Sequence, residues 1–176
     1  MYLSISSSSL YLPHSDAVCC VCGYSDIDGD NVMVMCDSCS VAVHKDCYAI
    51  TDDDLKKDKW YCLPCSQGLY PKTPNGVVNT DRKCIACNHV GGAFSKTLDN
   101  QWIHTPCAMF NPQIQLTDLG VDVPPKSSDT PTHECEICKS NFGYTIKCSY
   151  IDCHKYMHPH CMIRSLLFGC YRFTIH

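Results

Sequence analysis

Seventeen Cys and nine His in 176 residues, Cys recurring as Cys-x2-Cys, and no block long enough to bury a core of its own predict one fold class: small zinc-stabilised domains, irregular, with short β-strands and little helix. Cys at this density fits either a secreted disulfide scaffold or zinc binding. Spacing and His decide between them. Cys-x2-Cys occurs at Cys19/Cys22, Cys36/Cys39, Cys62/Cys65, Cys84/Cys87 and Cys135/Cys138, and His-x2-Cys at His44/Cys47, His104/Cys107 and His158/Cys161. Ligands three positions apart reach one ion from a tight turn, and zinc takes four of them in a tetrahedron. An odd Cys count cannot be fully paired as disulfides in a monomer, and no Asn-x-Ser/Thr sequon is present. Persistent thiolates point to a reducing compartment, nucleus or cytosol.

Along the chain, residues 1–18 read as a flexible tail, Ser-rich and without the basic region and apolar core of a secretory signal. Residues 19–65 carry Cys19, Cys22, Cys36, Cys39, His44, Cys47, Cys62 and Cys65. Residues 66–83, with Ser66, Pro71, Pro74, Asn75 and Gly76, read as a linker. Residues 84–112 carry the single set Cys84, Cys87, His104 and Cys107, and residues 113–132 read as a linker or short strands. Residues 133–176 carry Cys135, Cys138, Cys148, Cys153, His158 and Cys161, followed by Cys170 and His176. The spacing of Cys36 to Cys47 is echoed from Cys148 to Cys161, an internal repeat that frames the single set. A structural zinc supplies on the order of 10–16 kcal/mol of apparent folding free energy, more than a small domain's net stability. Metal, not a core, should therefore decide folding.

Regular structure should be short. Asn31, Val32, Met33, Val34 and Met35 are β-prone and follow the turn signal Gly29-Asp30. Asp52 to Lys59 fits a loop or a helical turn, and Ile163 to Phe168 is an apolar run of unassigned state. No run of about 18 apolar residues exists to cross a bilayer. The net charge of −4 is wrong for a general nucleic-acid binder.

The first block resembles a PHD finger. His44 stands fifth among its ligands, whereas RING fingers place His fourth, and Trp60 precedes Cys62 by two residues. The runs Cys36-Asp37-Ser38-Cys39 and Val41 to Tyr48 are similar to PHD fingers of the Jade and bromodomain–PHD scaffold families. Gly92-Ala93-Phe94, Trp102-Ile103-His104 and Cys107 to Pro112 resemble their zinc knuckle. The block with Gly143, Ile146, Cys148, Cys153, Met157, His158 and Cys161 resembles their extended second finger. The resemblance implies a PHD finger, a zinc knuckle and a second PHD-like finger. It further implies a cross-brace, in which Cys19, Cys22, His44 and Cys47 share one zinc while Cys36, Cys39, Cys62 and Cys65 share another. Spacing alone fits a sequential pairing equally well. Cys20 is read as a bystander, as are His89, His133, His154 and His160, with His154 and His160 the nearest substitutes for a missing ligand. The last finger either is truncated or closes through Cys170 and His176, so four zincs are expected and a fifth is open.

Complete sites with four protein ligands leave zinc no open position, and no metalloprotease or deaminase pattern is present. The chain reads as a recognition module rather than an enzyme, with no small-molecule substrate and no membrane. The resemblance implies a nuclear chromatin reader that binds a histone H3 tail, by strand addition to the edge of Asn31 to Met35. Asp26, Asp28, Asp30 and Asp37 cluster about that strand, and residues 19–65 hold nine Asp against four Lys. The aromatic that often precedes the fifth-place His by two residues is Ala42 here, so a cation–π cage is missing and unmodified lysine is the expected ligand. Lys56-Lys57-Asp58-Lys59-Trp60 lacks the Pro-x-Gly-x-Trp that grips the H3 amino terminus in related readers, which leaves an internal tail segment open. The second finger, with Lys139, Lys147, Lys155, Arg164 and Arg172, could touch DNA or the nucleosome. Subunits of a chromatin-modifying complex are further partners that the resemblance implies. The competing readings are a protein-interaction or structural zinc scaffold and, against the His order and Trp60, a RING-like ubiquitin ligase finger.

Overall fold

The computed structural model describes residues 17–70, 82–126 and 132–167. Its recurring unit is a turn, a two-stranded hairpin and a histidine. The turns at Cys19, Cys36, Cys84 and Cys135 all close through a backbone N–H four residues on, donated by Gly23, Ser40, Asn88 and Lys139 to the first Cys carbonyl at 2.7–2.9 Å. Those same donors have φ of 80°, 58°, 60° and 57°. Gly and Asn take the left-handed region readily. Ser40 and Lys139 carry side chains there at a cost of roughly 1–2 kcal/mol, which a closed metal turn can sustain.

Three of the four hairpins among the described residues deliver a histidine. Strands β1 (Met33–Met35) and β2 (Ala42–His44) pair antiparallel, with Met33 opposite His44. Strands β3 (Phe94–Lys96) and β4 (Trp102–His104) pair with Phe94 opposite His104. Strands β5 (Gln115–Thr117) and β6 (Gly120–Asp122) form a hairpin inside the stretch where short strands were an option. Strands β7 (Ile146–Lys147) and β8 (Tyr156–Met157) pair just before His158. Helix α1 (Asp52–Leu55) follows a capping box: Thr51 Oγ1 accepts the Asp54 N–H at 3.1 Å, and the Asp54 carboxylate accepts the Thr51 N–H. Helix α2 is Leu63–Ser66, and α3, Thr105–Met109, has Pro106 in its first turn. Helix α4 runs Pro159–Leu167 and takes up most of the apolar run from Ile163. Pro159 opens it, where a missing N–H costs nothing.

Burial centres on the units but crosses between them, with Ala93 of the knuckle in the first finger's cluster and Tyr144 of the second finger in the knuckle's. Val21, Val34, Val43 and Trp60 pack among the cysteines of the first finger; Phe94, Ile103 and Tyr144 among those of the knuckle; Met157 and Ile163 beside Cys135 and Cys161. Trp60 is buried and meets the Tyr48 ring edge-on at 5.8 Å. The units also touch. The Tyr48 hydroxyl donates to the Phe94 carbonyl of the knuckle. The Tyr144 N–H donates to the Ala86 carbonyl at 2.8 Å. Gly143 (φ +78°) lies so close that a Cβ there would stand 2.0 Å from the Ala86 oxygen. The His160 ring stacks on His104 at 3.6 Å, and burial with the neighbouring His104 pushes the His160 pKa down to about 2.

Candidate functional site

Hairpin and turn bring the predicted ligands together. Cys19, Cys22, His44 and Cys47 form one group; Cys36, Cys39, Cys62 and Cys65 a second; Cys84, Cys87, His104 and Cys107 a third; within each, all donor atoms lie within 4.8 Å of one another. The first two groups interleave along the chain, the choice that spacing left open. A tetrahedron with ~2.3 Å zinc–sulfur bonds has edges of about 3.5–3.8 Å. Cys22 Sγ to His44 Nδ1 is 3.3 Å, Cys47 Sγ to the same nitrogen 3.8 Å, and Cys39 Sγ to Cys62 Sγ 3.5 Å. In the knuckle, Cys87 Sγ to His104 Nδ1 is 3.2 Å. The donor sets fit a four-coordinate zinc in chemistry and in size.

Tautomer and charge are arranged for the same end. His104 Nε2 sits 2.6 Å from the Gly91 carbonyl and His158 Nε2 2.8 Å from the Phe142 carbonyl. An Nε2–H donated outward leaves the Nδ1 lone pair for a metal. His44 Nε2 is buried with no partner among the described residues. The first cysteine of each set accepts backbone N–H groups. His44 N donates to Cys19 Sγ at 3.4 Å, His104 N to Cys84 Sγ at 3.2 Å and His158 N to Cys135 Sγ at 3.4 Å. The Cys22 thiol, with these N–H groups, holds the Cys19 thiol down at about 5 against the opposing effect of burial. The Cys161 thiol does the same for Cys135, at about 2. The first thiolate of the set is thus favoured where a cation would sit, while its partners Cys22 and Cys161 are pushed up by it and by burial.

The last block departs from expectation. Its mutually close donors are His89, Cys138, His158 and Cys161. His89, read from the sequence as a bystander, is among them. Cys135 stands beside them, its Sγ accepting the His158 backbone N–H at 3.4 Å. Cys148 and Cys153 join no donor group among the described residues, and Cys170 and His176 lie outside those residues. Cys20 joins none either; its N–H donates to the Ala42 carbonyl, and burial pushes its thiol up. His133 stacks on Tyr156 at 3.6 Å.

The strand predicted for peptide binding is shorter than its β-prone run. Asn31 bridges to Asp28, and its side chain accepts the Asp46 N–H at 2.9 Å. Lys45 N donates to the Val32 carbonyl, and Cys36 N to Val41, so Val32 and Cys36 face β2. By strand alternation, the N–H and C=O of Met33 and Met35 face the opposite side, where β1 has no strand neighbour among the described residues. The far edge of β2 already accepts Cys20. Asp26, Asp28 and Asp30 are exposed and form no ion pair among the described residues. Asp37 is exposed but engaged: its carboxylate accepts the Trp60 N–H at 2.8 Å. Ala42 is buried in β2 and offers no aromatic face.

Residues 82–172 match the family described as PHD-zinc-finger like domain, and residues 30–66 match PHD-finger. The chain belongs to the PHD-zinc-finger like family. The family and the donor groups together make it a binder of several zinc ions. Bromodomain and PHD finger-containing protein 3 of Homo sapiens is 33% identical over 95% of this chain and 14% of that protein. The Bromodomain-containing protein homolog of Drosophila melanogaster is 33% identical over 83% and 10%, and Protein Jade-1 of Mus musculus 32% over 83% and 17%. The chain thus spans less than a fifth of these curated relatives. The crystal structure of zebrafish PHF14-PZP matches with a TM-score of 0.60 at 25% identity, covering 82% of this chain and 73% of that one.

Proposed function

We propose that the chain is a chromatin reader module, acting in the nucleus, that binds a histone H3 tail as an added strand on β1. The observation that carries the reading is the outward edge of Met33 and Met35, unpaired in a two-stranded sheet and flanked by Asp26, Asp28 and Asp30. Main-chain hydrogen bonds supply affinity and the carboxylates select a basic peptide. A lysine ammonium donates three hydrogen bonds to such groups, and trimethylation removes all of them. Ala42, buried in β2, offers no aromatic face to repay that loss. Unmodified lysine is therefore the preferred state. In this reading the zincs are structural, one in each of the three complete groups and one at Cys135, Cys138, His158 and Cys161; a fifth would need Cys148 and Cys153 with ligands from beyond residue 167.

Calorimetric titration of the full chain with unmodified and trimethylated H3 tail peptides tests the reading. Tighter binding of the unmodified peptide is expected; a preference for the trimethylated one overturns it. DNA contact is less favoured by the charges: Lys139 and Lys155 both lean on Glu136 at 3.4 Å. Duplex DNA retained in a low-salt gel shift would restore it.

A further inference from the structure

Five donors converge on the second finger's site, where a structural zinc takes four. The N–H of His158 reaches Cys135 Sγ as that of His44 reaches Cys19 and that of His104 reaches Cys84, so Cys135 occupies the first-cysteine place of this set. A ring nitrogen of His89 also lies within 4.8 Å of the donor atoms of Cys138, His158 and Cys161. His89 comes from the knuckle. Its backbone carbonyl closes the turn at Cys84, accepting the Cys84 N–H at 3.0 Å. Tyr24 and Ser140 hold the matching place in the turns at Cys19 and Cys135, so an imidazole there is peculiar to the knuckle. Its Nε2 is buried with no hydrogen-bond partner among the described residues, which leaves a polar atom that a metal would satisfy. The half-buried ring stands beside two others, its centroid 6.2 Å from that of His158 and 6.3 Å from that of His160, which itself stacks on His104.

We propose that His89 is a zinc donor in reserve for the second finger, supplied across the module boundary, and that it takes the coordination place of Cys135 when that thiolate leaves the ion. The exchange is a plain ligand substitution. An imidazole lone pair forms the zinc–nitrogen bond as the zinc–sulfur bond breaks, the thiolate leaves with its electron pair, and the ion stays Zn2+. Zinc has no geometric preference from its d-electrons and passes readily through five-coordination. The site then keeps its metal when one thiol is lost, and the ion fastens the knuckle to the second finger.

Counting zinc by native mass spectrometry on the full chain tests this. Cys135→Ser is expected to keep the same number of ions as the unaltered chain, and Cys135→Ser with His89→Ala one fewer. Loss of an ion from Cys135→Ser alone overturns the proposal, as does full occupancy of the double variant. Should Cys135→Ser fail to fold, zinc release to a chromogenic chelator decides. His89→Ala alone, with every cysteine intact, should release one ion severalfold faster than the unaltered chain; equal rates overturn the proposal.

Discussion

The Tyr48 hydroxyl of the first finger donates to the Phe94 carbonyl of the knuckle, and the same oxygen accepts the Leu63 N–H at 3.2 Å. One phenol thus satisfies two backbone groups on either side of a module boundary, and burial pushes its pKa well up. Tyr48→Phe leaves both groups unmet in a packed interface. A loss of about 1–3 kcal/mol is expected in urea unfolding, with faster amide exchange at Leu63. An unchanged midpoint would show that water takes over both bonds.

Gly143 separates backbone strain from collision. Gly68 (φ +75°) has nothing within 4 Å of a notional Cβ, so Gly68→Ala should cost only the left-handed penalty, about 1–2 kcal/mol. Gly143→Ala adds contact with the Ala86 oxygen, which is backbone and cannot swing away. A cost of roughly 3 kcal/mol or more is expected, with the second finger loosened from the knuckle. Equal Tm shifts for the two variants would contradict the packing.

Removing metal should remove the fold. Trp60 and Trp102 are both buried among cysteines of their own units. Titration with a strong chelator should red-shift their fluorescence as zinc leaves, and re-addition of zinc should restore it. Emission that stays blue after full extraction would mean the apolar residues hold the units unaided.

Met35→Pro tests the strand edge without touching the metal. The Met35 N–H faces away from β2, and proline is tolerated at such edge positions. The zinc count should hold while affinity for the unmodified tail peptide falls about tenfold or more, the cost of a lost main-chain bond and a blocked edge. Undiminished affinity would place the peptide elsewhere.

The ligand types and spacing were legible because metal turns are local: Cys-x2-Cys and His-x2-Cys carry their geometry in the sequence. The strand at Met33 and Met35 was legible for the same reason. The segment from Asp52 fits a loop or a helical turn on sequence alone, although the Thr51 and Asp54 cap that opens its helix is itself a local signal. The interleaving was not legible, because it pairs Cys19 with His44 and Cys36 with Cys62 over more than twenty residues. Tyr48, Gly143 and His89 were missed on similar grounds. Each acts on a neighbour distant in sequence, and nothing near it differs from an ordinary surface tyrosine, turn glycine or stray histidine. His89 had one weak sign, an imidazole two residues beyond Cys87 in a chain already rich in such rings.

His44 differs from its two counterparts in holding no carbonyl with its outer nitrogen. Such outer bonds typically carry 10–100-fold in metal affinity. The mixed cysteine–histidine centre beside the peptide edge is therefore the one from which the ion departs soonest under zinc scarcity. On the proposed function, the grip on the tail would then fade while the rest of the chain is still fully loaded.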